Sequence, residues 1–230
     1  RDQYAAPDEK IIFYVGRLVI EKGLDQLLEA APRILAADPQ VKFVIAGKGP
    51  YAEDLHAKAK QLGIYEKCYF TGFIDDQTRN ALFRAAAVAV FPSLYEPFGI
   101  VALEAMAAGT PVVVTDTGGL GEVVQHGKNG LKAMAGNPAS LAENIIWMLS
   151  YPEQARALSA QASRDVETEY NWEKIARATI RVYQEVEEEY QRSPWRWTPA
   201  GHRAPFAQSG MDATDPYDRY TPVAREATPV

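Results

Sequence analysis

The chain has 230 residues, a formal net charge of −6 and 47% hydrophobic residues. This composition is typical of a globular protein with one domain or two small ones, and it excludes a wholly disordered or fibrous chain. The acidic balance argues against a nucleic-acid partner bound through general charge, so an anionic ligand would need positive side chains placed locally around it.

Short apolar runs alternate with amphipathic stretches from residue 10 onward. Runs that are apolar at nearly every position are typical of strands buried on both faces of a parallel sheet. The predicted strands are 10–16, 41–47, 67–73, 88–93, 111–116 and a shorter run at 130–133. The predicted helices are 22–37, 51–62, 75–87, 99–108, 139–150, 152–168 and 172–190. This alternation predicts an α/β fold, a doubly wound Rossmann-like parallel sheet of about six strands with helices on both faces.

The composition changes after residue 192. Residues 193–230 hold 6 of the 15 prolines and show no clear hydrophobic period. We therefore predict one folded domain over residues 1–192 and a proline-rich tail over 193–230. The chain opens RDQYAAPDEK, with neither an initiator Met nor a signal-peptide pattern, and no apolar run approaches the roughly 18 residues of a membrane span. We expect a cytoplasmic piece of a longer polypeptide without a transmembrane segment.

Cysteine and histidine give no indication of a nucleophile or a metal centre. Cys68 is the single cysteine, so neither an intrachain disulfide nor a cysteine cluster can form. His56, His126 and His202 lie far apart, and no Ser/His/Asp pattern is visible. A histidine-rich metal site is therefore not expected.

Two glutamates flank the start of a predicted helix. Glu96 lies in PSLYEPFG, a rigid loop at the carboxyl end of a strand, and the amides of Phe98, Gly99 and Ile100 are free to bind an anion. Glu104 is the only charged residue of GIVALEAMAAGTPVVV, so we expect its carboxylate to be buried and to need a partner. Each acid could be purely structural. Amides for an anion between two acceptors for hydroxyl groups would suit a sugar phosphate or a nucleotide.

Other loops that follow strands add weaker candidates. In GRLVIEKG, Arg17 and Lys22 can both point over the carboxyl edge of the sheet, where they would stabilise a doubly charged leaving group. AGKGPYA fits G-x-G-x-x-A, yet it follows the second strand, so a nicotinamide cofactor is disfavoured against a simple glycine turn. TGFIDD could offer backbone groups and Phe73 to a nucleobase, and the glycines of DTGGLGE could lie against a ligand. Turn and helix-cap roles explain these last two loops equally well.

Taken in order, these segments resemble the C-terminal, donor-binding domain of family-4 retaining glycosyltransferases of the GT-B fold, also described as glycosyl transferases group 1. The matching segments are GRLVIEKG, the AGKGP turn, TGF, and YEPFGIVALEAMAAGTPVV with TGGLGE behind it. The resemblance covers about residues 10–190. Its specific part is the E-x7-E pair of Glu96 and Glu104 with the flanking PFG and AMAAGTPVV.

The resemblance implies one half of a GT-B fold, with residues 1–192 binding a nucleotide-diphosphate sugar and requiring neither a metal nor a cofactor. Arg17 and Lys22 match the diphosphate-binding pair of the family, and Glu96 matches the acid at the donor sugar; these three are the predicted catalytic residues. Glu104 matches the acid that holds the ribose hydroxyls. The remaining predicted donor-binding residues are Gly16, Gly47, Gly72, Phe73, Phe98, Gly99 and Ile100.

The family implies a mechanism and a partner. Transfer to an acceptor hydroxyl retains the anomeric configuration, and the favoured account is front-face attack in which the leaving phosphate takes the proton of the acceptor. Such enzymes resemble two Rossmann-like halves, so the implied partner is an N-terminal acceptor domain of the same polypeptide. We expect this chain alone to bind a donor and to transfer sugar weakly or not at all. The tail 193–230 and the segment LKAMAGNPASL depart from the family pattern.

Three alternative interpretations stay open. YEPFGI is close to the sequence of glycogen and starch synthases, so a glucosyltransferase of that type is one, and a preference for ADP-glucose would favour it. A sugar-nucleotide epimerase of the same architecture fits less well, because such epimerases lack the EPFG…E pattern. A non-catalytic module that binds nucleotide sugars belongs to a different functional class. The sequence determines neither the base and the sugar of the donor nor the acceptor.

Overall fold

A computed structural model describes residues 1–194 of the chain, and residues 195–230, most of the predicted tail, lie outside the described part. The strands are β1 (Lys10–Val15), β2 (Val41–Ala46), β3 (Cys68–Gly72), β4 (Val88–Phe91), β5 (Val112–Thr115) and β6 (Leu131–Ala133). The helices are α1 (Leu24–Ala37), α2 (Ala52–Gln61), α3 (Asp76–Ala85), α4 (Ile100–Ala107), α5 (Gly118–Val123), α6 (Pro138–Ser150), α7 (Pro152–Glu169) and α8 (Trp172–Arg192). Short 3-10 turns lie at Ile20–Lys22 and Tyr65–Lys67.

The six strands form one parallel sheet in the order β3-β2-β1-β4-β5-β6. This confirms the predicted doubly wound α/β fold. Each predicted strand exists, and its boundaries agree with the prediction within two residues. None of the helices in residues 1–194 is long and apolar enough to cross a membrane.

Alternation along β1 shows why the strands are apolar at nearly every position. Ile12 and Tyr14 pack in a hydrophobic cluster with residues of α1, α2 and α6. Ile11 and Phe13, one residue out of step, pack in a second cluster with residues of α3, α4 and α5. Since helices cover both faces of the sheet, both sets of side chains are buried, and no polar alternation is needed.

The strand order reverses between β1 and β4, because β1 pairs with β2 on one side and with β4 on the other. The chain leaves β1 and β4 in opposite lateral directions and so opens a crevice beyond their carboxyl ends. Ligands of open α/β sheets bind in crevices at such a switch point. The loops that carry Arg17 and Glu96 follow these two strands.

One prediction about local structure was wrong. The segment DTGGLGE was predicted to be a loop, but Gly118–Val123 form the short helix α5. Glycine has a low intrinsic helix propensity, which the sequence pattern reflects. Here the glycines serve a different purpose, because the first turn of α5 packs closely on the loop that carries Glu96.

By contacts, the described part of the chain divides into a first unit, Arg1–Arg177, and a second unit that begins at Ala178. The sheet, both hydrophobic clusters and every predicted site residue belong to the first unit. The domain boundary expected at residue 192 stays a prediction.

Candidate functional site

A cleft of about 370 Å³ lies beyond the carboxyl ends of β1 and β4. Seven of the eleven predicted site residues line it, and they come from two segments, 16–22 and 96–104, that are far apart in the sequence. These seven are Gly16, Arg17, Lys22, Glu96, Phe98, Ile100 and Glu104. The cleft is also lined by residues that the sequence did not single out: Tyr14, Val15, Arg79, Phe91, Ser93 and Val101.

Lys22 and Glu96 form an ion pair at the centre of the site. The Nζ atom of Lys22 lies 2.5 Å from Oε2 of Glu96, and the two side chains are only 19% and 10% exposed. The Ser93 hydroxyl lies 3.4 Å from the same carboxylate oxygen. A charge-assisted hydrogen bond in such a desolvated place is strong, and it satisfies a carboxylate that would otherwise be buried without a partner.

The two loops that carry this pair are joined by their backbones. The amides of Leu94 and Tyr95 both donate to the carbonyl of Glu21, at 2.8 and 3.2 Å. Next to this contact, Gly23 has a left-handed φ of 61°, and a β-carbon on it would lie 2.0 Å from the carbonyl oxygen of Pro92. The close approach of the two loops therefore requires a glycine, and it sets the short distance between Lys22 and Glu96.

The Glu96 loop packs on the first turn of α5. The amide of Gly119 donates to the carbonyl of Glu96 at 2.9 Å. A β-carbon on Gly118 would lie 2.1 Å from that carbonyl oxygen, and one on Gly119 would lie 2.4 Å from the carbonyl oxygen of Phe98. The glycines of DTGGLGE thus allow backbone to pack on backbone and hold the loop that presents Glu96.

Helix α4 begins at the floor of the cleft. Gly99 adopts a left-handed φ of 74° at the N-cap position, and Ile100 starts the helix. The first amides of a helix have no partner within the helix, so they are available to an anion. Phe98 and Ile100 are 75% and 54% exposed, so their side chains add apolar surface beside those amides.

Glu104 was expected to be buried, and this expectation was wrong. Its side chain is 34% exposed because it opens into the cleft instead of packing on the apolar face of α4. The expected partner exists: Nη2 of Arg79 lies 3.4 Å from Oε1 of Glu104. Glu96, which was predicted to lie in a rigid loop, is the more deeply buried acid, with a side chain that is 10% exposed.

Arg79 is the charged cleft residue that the sequence analysis missed. It lies on α3, where Nη1 is 3.1 Å from Oδ1 of Asp76, and its Nε is buried with no hydrogen-bond partner in residues 1–194. A cation that follows the TGFIDD strand exit could have been found by the same argument that singled out Arg17. Apart from that position, the sequence does not distinguish an arginine that enters a cleft from one that faces solvent on an amphipathic helix.

Four predicted donor-binding residues do not line the cleft. A β-carbon on Gly47 would lie 1.8 Å from the carbonyl oxygen of Gly16, so this glycine supports the loop after β1 from behind. Gly72 has a left-handed φ of 70°, and Phe73 beside it is 76% exposed. Gly99 is buried as the N-cap of α4. Donor binding by these four residues stays a prediction.

The described histidines and the cysteine lie away from the cleft. His56 stacks on Phe70 with ring centroids 4.0 Å apart, and Nδ1 of His126 accepts a hydrogen bond from the amide of Lys132 at 2.9 Å. Cys68 is buried in the hydrophobic core, and burial raises the pKa of its thiol to about 12. Within residues 1–194, no three His, Cys, Asp or Glu side chains are grouped so that they could hold a metal ion.

Chemically, the cleft brings together three cations, a set of free helix amides and two carboxylates. Arg17, Lys22 and the amides at the start of α4 can bind a polyanion. Glu96 and Glu104 can accept hydrogen bonds from hydroxyl groups on either side of it. This combination suits a molecule with a phosphate centre and hydroxyl-bearing ends.

Comparison with known proteins points to one family. A family model described as glycosyl transferases group 1 matches residues 1–165. An uncharacterised glycosyltransferase of Methanocaldococcus jannaschii is 45% identical over 176 residues, which cover 76% of this chain and 45% of that protein. A glycogen synthase of Mycobacterium tuberculosis is 38% identical over 172 residues, which cover 75% of this chain and 42% of that protein.

Solved structures agree with the sequence comparison. The crystal structure of Anabaena HepE in complex with UDP and glucose has a TM-score of 0.70 and 26% sequence identity, covering 84% of this chain and 51% of that one. This chain spans less than half the length of the two curated relatives. The family model covers well over half of the chain, in the part that builds the sheet and the cleft. The chain therefore belongs to the glycosyl transferases group 1 family.

Proposed function

We propose that this chain is the donor-binding domain of a retaining glycosyltransferase that moves a hexose from a nucleotide-diphosphate sugar to an acceptor hydroxyl. The observation that carries the proposal is the convergence of Arg17, Lys22, Glu96 and Glu104 on one cleft at the switch point of the sheet. The Anabaena structure with UDP and glucose supports it, since that protein shares the fold.

Each part of the cleft has a role in this proposal. Arg17 and Lys22 bind the diphosphate together with the amides of Phe98, Gly99 and Ile100. Glu104 accepts hydrogen bonds from the ribose hydroxyls at one end. Glu96 faces the donor sugar at the other end, on the far side of Lys22.

The proposed reaction is a front-face substitution. The acceptor oxygen bonds to the anomeric carbon on the face from which the diphosphate departs, and the bond from the anomeric carbon to the phosphate oxygen breaks. The departing phosphate oxygen takes the proton of the acceptor, so the configuration is retained. The negative charge that develops on the diphosphate is stabilised by Arg17 and Lys22, and such stabilisation is a large part of catalysis in water-excluded sites. We propose that this charge pair replaces the need for a metal.

The acceptor site belongs, in this proposal, to an N-terminal domain of the same polypeptide. The support is the coverage of the relatives, which extend over more than twice the length matched here. The chain alone then binds the donor and transfers sugar weakly or not at all. We propose a cytoplasmic location, where nucleotide sugars are made.

A calorimetric titration tests the proposal. UDP-, GDP-, ADP- and dTDP-glucose are titrated into the wild-type chain and into the variants Arg17→Ala and Glu104→Ala. We expect one nucleotide to bind and each variant to weaken it about tenfold or more, as loss of a charged hydrogen bond does. The matched controls are Arg33→Ala and Glu143→Ala, which remove the two partners of an exposed ion pair outside the cleft. Absence of binding to all four sugars, or equal effects of site and control variants, would overturn the proposal.

A second candidate function is a glucosyltransferase of the glycogen synthase type. The 38% identity with the Mycobacterium tuberculosis glycogen synthase favours it. Selective binding of ADP-glucose in the same titration, followed by incorporation of glucose into an α-glucan by the longer polypeptide, would support this candidate. A non-catalytic module would bind the same sugars without any transfer by the longer polypeptide.

A further inference from the structure

Tyr14 lies beneath the phosphate end of the proposed site. It is one of the largest fully enclosed side chains of the protein, with 2% exposure, and its ring packs in the hydrophobic cluster on the α1 face of the sheet. Its hydroxyl reaches the cleft, where it donates to the carbonyl of Arg17 at 3.0 Å. A tyrosine here thus joins the core of the sheet to the first loop of the site.

The other backbone groups around Arg17 are held from the opposite side. The amides of Gly16 and Leu18 donate to the carbonyls of Ala46 and Lys48, each at 3.0 Å. These bonds anchor the segment to the end of β2 and to the loop after it, and the Leu18 amide holds one side of the peptide between Arg17 and Leu18. The Tyr14 hydroxyl holds the other side of that peptide by donating to the Arg17 carbonyl.

The Tyr14 hydroxyl is chemically suited to act as a permanent hydrogen-bond donor. Burial raises the pKa of Tyr14, and the negative charge of Glu96 raises it further. The hydroxyl therefore remains a donor throughout the neutral and mildly alkaline range. It is also confined in space, because a β-carbon on Gly16 would lie 2.7 Å from the Tyr14 oxygen.

From this geometry we infer that Tyr14 is a positioning residue for diphosphate binding. Its hydroxyl fixes the Arg17 backbone so that the guanidinium group points at the diphosphate. The inference rests on the proposed function, because it assigns to Tyr14 an effect that is exerted through Arg17. Without the hydroxyl the Arg17 peptide gains freedom, and ordering it again reduces the affinity.

A double-mutant cycle tests whether Tyr14 acts through Arg17. The affinities of UDP, GDP, ADP and dTDP are measured for the wild-type chain, Tyr14→Phe, Arg17→Ala and the double variant, by a method that reaches millimolar dissociation constants. We expect Tyr14→Phe to weaken the preferred diphosphate about three- to tenfold in the wild-type background, the range of one hydrogen bond. In the Arg17→Ala background we expect less than a twofold further effect.

The outcomes separate the inference from the proposed function. If the wild-type chain binds none of the four diphosphates, or Arg17→Ala binds as the wild type does, the proposed function is overturned and the inference with it. If Arg17→Ala weakens binding but Tyr14→Phe does not, only the inference is overturned. Equal losses from Tyr14→Phe in both backgrounds would also overturn it, because the effect would then be independent of Arg17.

A matched control and a second variant keep the test decisive. Thr110→Val removes another buried hydroxyl, which donates to the carbonyl of Phe83 at 2.8 Å. Thr110 lies just before β5, at the opposite end of the strands from the cleft. This variant should lower stability without changing diphosphate affinity. If Tyr14→Phe does not fold, Gly16→Ala serves in its place, because the added β-carbon would lie 2.7 Å from the Tyr14 oxygen and must displace the hydroxyl. The same cycle of Gly16→Ala with Arg17→Ala is then measured, and the same outcomes support or overturn the inference.

Discussion

The ammonium group of Lys22 lies 2.5 Å from a carboxylate oxygen of Glu96, so the two charges neutralise each other. Lys22 is proposed to bind the diphosphate, whereas Glu96 is proposed to bind the donor sugar. Under the proposed function, a diphosphate that enters must share Lys22 with Glu96, and binding of the donor frees Glu96 to accept hydrogen bonds from the sugar. We therefore propose that the pair couples occupation of the phosphate site to availability of the sugar site.

This coupling predicts an unusual effect of Glu96→Gln. Removal of the carboxylate leaves the full charge of Lys22 for the phosphates, so we expect the affinity of a free nucleoside diphosphate to rise two- to tenfold. Sugar transfer by the longer polypeptide should fall, since the amide is a weaker acceptor for the sugar hydroxyls. Titration with UDP, GDP and ADP measures the first effect. Weaker diphosphate binding by Glu96→Gln would contradict the shared role of Lys22.

The ion pair of Arg79 and Glu104 leads to a second prediction. Glu104→Ala should weaken a ribonucleoside diphosphate about tenfold or more and its 2′-deoxyribose counterpart by a smaller factor, because the deoxy sugar keeps only one of the two proposed hydrogen-bond donors. Arg79→Met should show the same pattern with a smaller loss, since Arg79 holds the carboxylate from 3.4 Å away. Competition titrations with the ribonucleoside diphosphate and its 2′-deoxy counterpart measure the ratio of the two affinities in each variant. Equal losses for ribose and deoxyribose would place Glu104 elsewhere in the site.

Much of the fold could be predicted from the sequence, because burial on both faces forces continuous apolar strands such as 88–91 and 112–115. The order of the loops at the switch point then placed Arg17 and Glu96 in one site. Side-chain direction within the site could not be predicted. Glu104 has apolar neighbours along the helix, and only the tertiary structure shows that it faces an open cleft.

Contacts made at a distance in sequence explain what the sequence analysis missed. The helix α5 depends on backbone packing between Gly118 and Glu96, which helix propensity does not include. The role of Arg79 depends on a partner 25 residues further along the chain. One missed contact is local: the Tyr14 hydroxyl donates to a carbonyl three residues ahead, but a tyrosine in an apolar strand indicates only a buried ring.

Packing of α5 on the Glu96 loop gives a third prediction. In Gly118→Ala the new β-carbon meets the Glu96 carbonyl, and the backbone has a φ of 46°, so we expect about 2 kcal/mol or more of lost stability and a loss of nucleotide binding. Gly109→Ala is the matched control, because its φ is 75° but nothing lies within 4 Å. It should cost about 1 kcal/mol and leave binding intact. Thermal denaturation measures the lost stability of both variants, and titration measures their nucleotide affinity. Together they distinguish backbone strain alone from displacement of the Glu96 loop. Unchanged binding in Gly118→Ala would show that the Glu96 loop does not depend on α5.

A fourth prediction concerns alkaline pH. Burial raises the pKa of the Cys68 thiol to about 12, from an ordinary value of 9.0. The folded state therefore keeps the thiol neutral where the unfolded state ionises it. The contribution of Cys68 to stability is complete below pH 9 and is lost as the pH rises from 9 toward 12.

At about pH 10, ionisation of the thiol in the unfolded state lowers the free energy of unfolding by about 1 kcal/mol. Denaturant unfolding of the wild type and of Cys68→Ala, at about pH 8 and about pH 10, measures it. Cys68→Ala is less stable at the lower pH because it leaves a cavity, but it should lose less stability than the wild type between the two pH values. Labelling of the thiol by iodoacetamide at the lower pH provides an independent check, since a neutral, buried thiol reacts slowly until the protein unfolds. Rapid labelling under native conditions, or an identical pH dependence in both proteins, would show that the thiol ionises in the folded state.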